Sequence, residues 1–317
     1  MLGNNYMDRR HFLKAGMSAA AYVSLPGITA LLPRRAEAAS LSFNLQASML
    51  DFVPSGMNPP VTIPMWQFID VANPALPFAT QLRVNAGDTV SINLVNNLPV
   101  PINISVPGIL SNAPLCLPGS AMTYSFTAPL NPGSYPFYDE SNGLLGRAMG
   151  LSGGLVVLPA DGSMTLGGVA YSRDHTLLFA EVDTRLNDAV ATGLAFDMAN
   201  YAPNYFFVNG LCYVRDIQHV ELQMTPGENV AFRMINAGLI FYPMHFHGYH
   251  VTVYSRNAVP ELLVRDKDSV LIKPDEAVEA LLTVDQPGMY PLHTHYLPGV
   301  TNNGSYAGGG LIVMNAA

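Results

Sequence analysis

Two widely separated stretches of this chain are written in one grammar. Leu82-Arg83-Val84-Asn85 leads into Ala86-Gly87-Asp88 and out through Thr89-Val90-Ser91-Ile92-Asn93-Leu94-Val95, with apolar and polar residues alternating on both sides of the turn. Val220-Glu221-Leu222-Gln223-Met224 leads in the same way into Pro226-Gly227-Glu228 and out through Val230-Ala231-Phe232-Arg233-Met234-Ile235-Asn236. A period of two puts the apolar side chains on one face of an extended chain, so each stretch reads as half-buried antiparallel strands about a glycine turn. Repetition of such a unit implies a duplicated all-β fold of two β-sandwiches, divided at the turn cluster Pro159-Ala160-Asp161-Gly162-Ser163. Helical periodicity is scarce, and only Asn187 to Met198 has room for a short helix.

Length and composition agree with two packed domains. The chain has 317 residues, of which 49% are hydrophobic and 12% charged, enough apolar material to fill two cores. Disorder, coiled coil and collagen-like repeats are excluded, because the 27 Gly and 25 Pro are spread along the chain without a period. A net charge of −8 leaves no basic face for a phosphate backbone, so nucleic acid is not an expected partner.

Residues 1–38 are of another kind. Arg9, Arg10, Lys14, Arg34 and Arg35 against Asp8 and Glu37 give +3 here, which leaves −11 for the rest of a chain whose total is −8. Arg9-Arg10 ahead of Phe12-Leu13-Lys14 resembles a twin-arginine export signal, with cleavage expected after Ala36-Glu37-Ala38. The apolar stretch from Ala15 to Leu32 is broken by Gly16, Pro26 and Gly27 and is weak for spanning about 30 Å of hydrocarbon. The expected location is therefore periplasmic or secreted, without stable membrane insertion after cleavage. Cys116 and Cys212 lie far apart, in apolar surroundings and without metal-binding or redox spacing. They read as buried hydrophobes, with a single bridge between the sandwiches left open.

Of eight histidines, four fall into two His-x-His pairs, His245-Phe246-His247 and His293-Thr294-His295. In a strand, residues two apart share a face, so each pair presents two imidazoles on one side while Phe246 and Thr294 point to the other. Four imidazoles without thiolate or carboxylate suit copper or zinc, and the affinity order favours copper. His11, His175 and His219 have no such spacing, and His250 falls on the opposite face from His247.

The segments around the pairs carry a family resemblance. Tyr205-Phe206-Phe207-Val208-Asn209-Gly210, Arg233-Met234-Ile235-Asn236, Pro243-Met244-His245-Phe246-His247-Gly248 and Pro287-Gly288-Met289-Tyr290-Pro291-Leu292-His293-Thr294-His295 resemble, in order, the final cupredoxin domain of multicopper oxidases. Cys116 to Phe126, Pro132-Gly133-Ser134-Tyr135 and Gly150 to Val157 resemble the N-terminal domain of that family more weakly. The resemblance implies two cupredoxin-like Greek-key sandwiches, over 40–160 and 161–317, where laccases have three. It implies copper, with His245 in the place of a type 2 ligand and His247, His293 and His295 in the places of type 3 ligands.

The departures reshape that expectation. The position of the type 1 copper cysteine is Thr294, and the accompanying positions are Tyr242, Gly299 and Gly304. The four histidine positions of the first domain are Ser105, Pro107, Tyr138 and Glu140. The resemblance thus implies an exported copper-dependent oxidoreductase with a reduced, histidine-only site and no blue copper centre, meeting a small-molecule reductant or oxidant directly. Tyr138 and Glu140, read as sharing a face of a Tyr138-Asp139-Glu140 strand, become candidate catalytic residues as proton donors or replacement ligands, or are plain polar surface residues. A copper carrier without turnover, a metal-free structural member and a zinc hydrolase are the alternatives. Two-domain members often close the contact between first and last units across subunits of a three-fold ring, so a homotrimer is the expected assembly.

Overall fold

The computed structural model describes residues 38–57, 59–74, 78–215, 217, 219–262 and 266–317. The expected export segment, with its paired arginines, lies outside the described residues apart from Ala38. No helix among the described residues is long and apolar enough to cross a membrane.

Strands longer than two residues are numbered in chain order. The first half contributes β1 (Ser40–Phe52), β2 (Ile63–Asp70), β3 (Gln81–Asn85), β4 (Thr89–Asn96), β5 (Ala121–Thr127), β6 (Gly133–Tyr138) and β7 (Ser152–Leu158), with helix α1 (Leu144–Met149) before β7. One sheet runs β2-β1-β4-β5 and the other β3-β7-β6. Between them Leu45, Trp66, Phe68, Ile92, Leu94 and Phe137 form the core.

The second half opens with β8 (Arg173–Val182), helix α2 (Thr184–Ala191), β9 (Tyr205–Val208), β10 (Val220–Met224) and β11 (Asn229–Asn236). It continues with β12 (Tyr242–Phe246), β13 (Val251–Arg256), β14 (Ser269–Ile272), β15 (Ala277–Thr283), β16 (Gly288–Thr294) and β17 (Ile312–Ala316). A seven-stranded sheet runs β9-β8-β11-β15-β13 with two short strands beyond, and a five-stranded sheet runs β10-β17-β16-β12-β14. Phe179, Phe232, Tyr242, Met244, Phe246 and Leu292 fill the space between.

The expected duplication is visible strand for strand. The order β2-β1-β4-β5 returns as β9-β8-β11-β15, and β3-β7-β6 returns as β10-β17-β16. In both halves the central pair of this order runs parallel, β1 with β4 and β8 with β11. The terminal asparagines of the repeated grammar do the same work. Asn96 donates to the carbonyls of Val100 and Cys116 and accepts from the Leu98 amide. Asn236 donates to those of Ile240 and Ile272 and accepts from the Gly238 amide. Each pins the loop that leaves its strand, in a buried place where unpaired amides would be costly.

Three sequence expectations need correction. The strands on either side of each glycine turn do not pair with each other: β3 bonds to β7 and β4 to β1 and β5, so the turn carries the chain from one sheet across to the other. Alternation reports a half-buried strand but is blind to which neighbour it bonds. Strand β6 ends at Tyr138, because Asp139 turns inward and its carboxylate accepts the Asn103 amide and the Ser141 hydroxyl. Helix α2 starts earlier than expected, where the Asp183 side chain caps the Arg185 amide, and ends at Ala191.

The sandwiches meet across β6, which lies against β11 and β15 of the seven-stranded sheet. Ser134 on β6 donates to Glu279 Oε1 at 2.8 Å, and Glu279 is paired with Arg233, both being only 2% exposed. Arg147 of α1 donates to the Gly238 carbonyl at 2.7 Å and pairs with Asp275 at 2.6 Å. The first sandwich is thus fastened to the seven-stranded sheet, leaving the outer face of the five-stranded one open.

Candidate metal centre

The four paired histidines stand together on that outer face. Antiparallel β12 and β16 place His245 directly opposite His293, and His247 and His295 follow just past the strand ends. The intervening residues face inward: Phe246 and Thr294 are each 1% exposed. The strand ends are held in register by amide bonds from His247 to the Pro291 carbonyl (3.1 Å) and from His295 to that of Pro243 (2.8 Å).

Neighbouring ring centroids lie 4.6 Å (His245 and His247), 4.8 Å (His245 and His295), 5.1 Å (His247 and His293) and 5.4 Å (His293 and His295) apart. The Nε2 atoms of His247 and His293 are 3.0 Å apart. Carbonyl oxygens only accept, so the Nδ1 of His245 against the Asp268 carbonyl (3.0 Å) and that of His293 against the Thr294 carbonyl (3.1 Å) each carry the proton. That tautomer leaves the Nε2 lone pairs for a ligand. Burial first, and then the neighbouring imidazoles, hold His247 below its ordinary pKa. Burial does the same for His293. Both are therefore neutral near pH 7, the state a metal requires. Among the described residues no three His, Cys, Asp or Glu side chains close into a finished coordination sphere. The donors nevertheless fit copper in kind, being imidazoles without thiolate. A cavity of about 280 Å³ opens beside them, lined by His293, His295, Leu297 and Tyr306.

Tyr138 and Glu140 are elsewhere in the chain's own fold. Gly133-Ser134-Tyr135-Pro136-Phe137-Tyr138-Asp139-Glu140 repeats the pattern of Gly288-Met289-Tyr290-Pro291-Leu292-His293-Thr294-His295 on the equivalent strand, so the two residues are the first-sandwich counterparts of His293 and His295. Glu140 Oε1 accepts the Asn112 amide at 2.8 Å. The Tyr138 ring lies 4.3 Å beneath the Arg147 guanidinium. Burial, with Asp275 nearby, raises the phenol above its ordinary pKa and keeps it protonated. Among the described residues neither has a hydrogen bond or ring contact to the four histidines.

The remaining candidates have other occupations. His250 lines a separate cleft, His175 sits 3.1 Å from the Gln223 carbonyl, and His219 pairs with Glu221. His11 lies outside the described residues. Cys116 and Cys212 are both buried and form no disulfide. Burial pushes the Cys212 thiol up to about 12, which leaves it without thiolate character.

The sequence reading missed Glu181, although an acid inside Leu177-Leu178-Phe179-Ala180-Glu181-Val182 was a visible signal. Its carboxylate accepts the Leu239 amide and, at 2.8 Å, the hydroxyl of Tyr242. Tyr242 is one of the four positions that the resemblance associates with type 1 copper. Two others are closed by contact: a Cβ on Gly299 would stand 2.6 Å from Thr294 Cγ2.

Two family models described as multicopper oxidase match residues 68–162 and 186–311. The chain belongs to the multicopper oxidase superfamily, and copper is the cofactor this membership implies. It is 24% identical over 255 residues to Laccase-8 of Oryza sativa subsp. japonica, a match over 72% of this chain and 44% of that one, so it spans less than half of that relative. The Blue Copper Oxidase of Nitrosomonas europaea has a similar fold, with TM-score 0.74 and 20% identity over 87% of this chain and 86% of that one. So does the copper nitrite reductase of Nitrosomonas europaea, with TM-score 0.70 and 22% identity over 88% of this chain and 94% of that one.

Proposed function

We propose that the chain is an exported, copper-dependent oxidoreductase whose metal is held by His245, His247, His293 and His295 alone. The observation that carries this reading is the gathering of four imidazoles on one outer sheet face, two of them with Nδ1 tied to backbone carbonyls. Bound copper supplies a one-electron acceptor. The chain's own groups do the rest. The carbonyls of Asp268 and Thr294 orient the rings, and the inward Phe246 and Thr294 anchor the strands that carry them. Tyr242 and Thr294 fill the interior with neutral side chains where a blue copper would need thiolate.

We propose further that a neighbouring copy completes the site in a homotrimer. Within one chain the first sandwich packs on the sheet opposite the histidines, so Tyr138 and Glu140 could serve them as proton carriers only from another subunit. The histidine face also exposes apolar side chains in register with the ligands, Leu271 at 42% and Met289 at 64%, as a surface awaiting a partner does.

Metal analysis with electron paramagnetic resonance tests the copper reading. The expected result is bound copper with a type 2 signal and no intense blue band, since that band needs a thiolate. His247→Ala and His295→Ala should each weaken binding at least about tenfold, and His175→Ala should leave it unchanged. Equal binding by all three variants and the parent would put the metal elsewhere. The exposure of His295 favours a second reading, a copper carrier without turnover. Oxygen uptake with added reductant separates the two, since a carrier consumes none.

A further inference from the structure

A cleft of about 710 Å³ opens where the loop before β2, the loop after β9 and the Thr301–Tyr306 hairpin meet. Pockets of that size enclose a drug-sized organic molecule. One side of the cleft is apolar, lined by Met57, Pro59, Pro60, Val61 and Val214, while Asn302, Asn303 and Ser305 line it with polar groups. Arg215 is the one cation among the described lining residues, and none of them is acidic. Asn302 has little to offer a ligand, because its amide already donates to the Tyr213 carbonyl and accepts the Gly309 amide. Arg215, an exposed residue, is therefore the one that sets the charge preference of the cleft.

In a chain of net charge −8 such a place is unusual. A second cleft of about 670 Å³, beside Gly248, carries Asp266 and Asp285 and would repel an anion. The Arg215 cleft has the opposite preference. A planar guanidinium matches a carboxylate or sulfonate with two parallel hydrogen bonds, and proline and tyrosine surfaces suit a flat apolar body. Tyr306, 77% exposed, lines both this cleft and the cavity that holds His293 and His295. Tyr306 is thus the side chain that the two share.

We propose that this cleft binds an organic anion with a flat apolar body, its carboxylate or sulfonate paired with Arg215 and its body laid along Pro59, Pro60 and Tyr306. Such anions would form the substrate class presented to the histidine site, a consequence that rests on the copper reading above. Binding itself does not depend on metal.

Fluorescence titration of the full chain, with and without copper, tests this using two probes of similar shape. Anilinonaphthalene sulfonate carries the anion, and N-phenylnaphthylamine is its neutral counterpart. The sulfonate should bind the parent protein at least about tenfold more tightly than Arg215→Gln, the scale of one lost charge-assisted contact. The neutral probe should distinguish the two proteins by less than about twofold. Arg215→Lys should restore part of the sulfonate affinity, Tyr306→Ala should weaken both probes, and Lys267→Gln should change neither. Circular dichroism confirms that each variant is folded. Equal sulfonate affinity of the parent and Arg215→Gln overturns the proposal. Protein that holds copper but does not bind the sulfonate also overturns it and leaves the copper reading standing. Protein that binds the sulfonate through Arg215 without holding copper supports the cleft and removes the copper reading instead.

Discussion

Glu181 shows what one side chain can cost and settle. It is 2% exposed on β8, among Phe179, Ala180 and Val182, and its charge is compensated by donors rather than by an ion pair of its own. Burial raises its pKa above the ordinary 4.5. A carboxyl raised in the folded state binds its proton more tightly there than in the unfolded chain. Its contribution to stability is then complete below about pH 4.5 and is lost as pH climbs through the folded value. Glu181→Gln removes that titration. Denaturant unfolding of parent and variant at several pH values should therefore show the difference moving in favour of the variant above pH 4.5, by up to about 1.4 kcal/mol per pH unit. Parallel pH profiles would mean that Glu181 ionises normally.

Among the elements, the turn after β12 bears most directly on the histidines. Gly248 follows His247 with φ of 74°, and a Cβ there would stand 2.4 Å from Tyr290 Cδ1 on β16. The left-handed backbone costs an alanine roughly 1–2 kcal/mol, and the clash must be relieved by movement of the Tyr290 ring or of the strand that carries it. Gly248→Ala should thus destabilise the fold by about 1–3 kcal/mol and loosen copper as well. Denaturation midpoints and a copper titration check both parts, and a variant with parental values in both would show that the strand pair tolerates the shift.

At the scale of the whole molecule, the buried contact of Ser134 with the Arg233–Glu279 pair fixes the first sandwich to the sheet that carries none of the four paired histidines. If neighbouring copies complete the site, light scattering at micromolar concentration should give the mass of three mature chains. The mass of a single chain would rule the ring out and leave Tyr138 and Glu140 without access to the metal. Export belongs to the same scale, since on the proposed twin-arginine route a receptor would read Arg9 and Arg10 of the whole precursor. The double variant Arg9→Lys, Arg10→Lys should hold precursor in the cytoplasm, and normal periplasmic accumulation would refute that route.

The sequence alone determined the features that depend on local spacing. Alternation around Gly87 and Gly227 revealed half-buried strands and their duplication, because side chains two apart share a face whatever the strand later pairs with. The same period put His245 with His247 and His293 with His295, and sent Phe246 and Thr294 inward. Tertiary structure decided what spacing cannot encode. It placed β3 and β4 in different sheets, since register and partner depend on residues distant in the chain. It ended β6 at Tyr138, where Asp139 found donors in Asn103 and Ser141, and so left Glu140 beyond the strand. It also set the first sandwich behind the seven-stranded sheet through Ser134, Arg147, Arg233 and Glu279, a choice made by buried charge that must be paired and that no periodic pattern records.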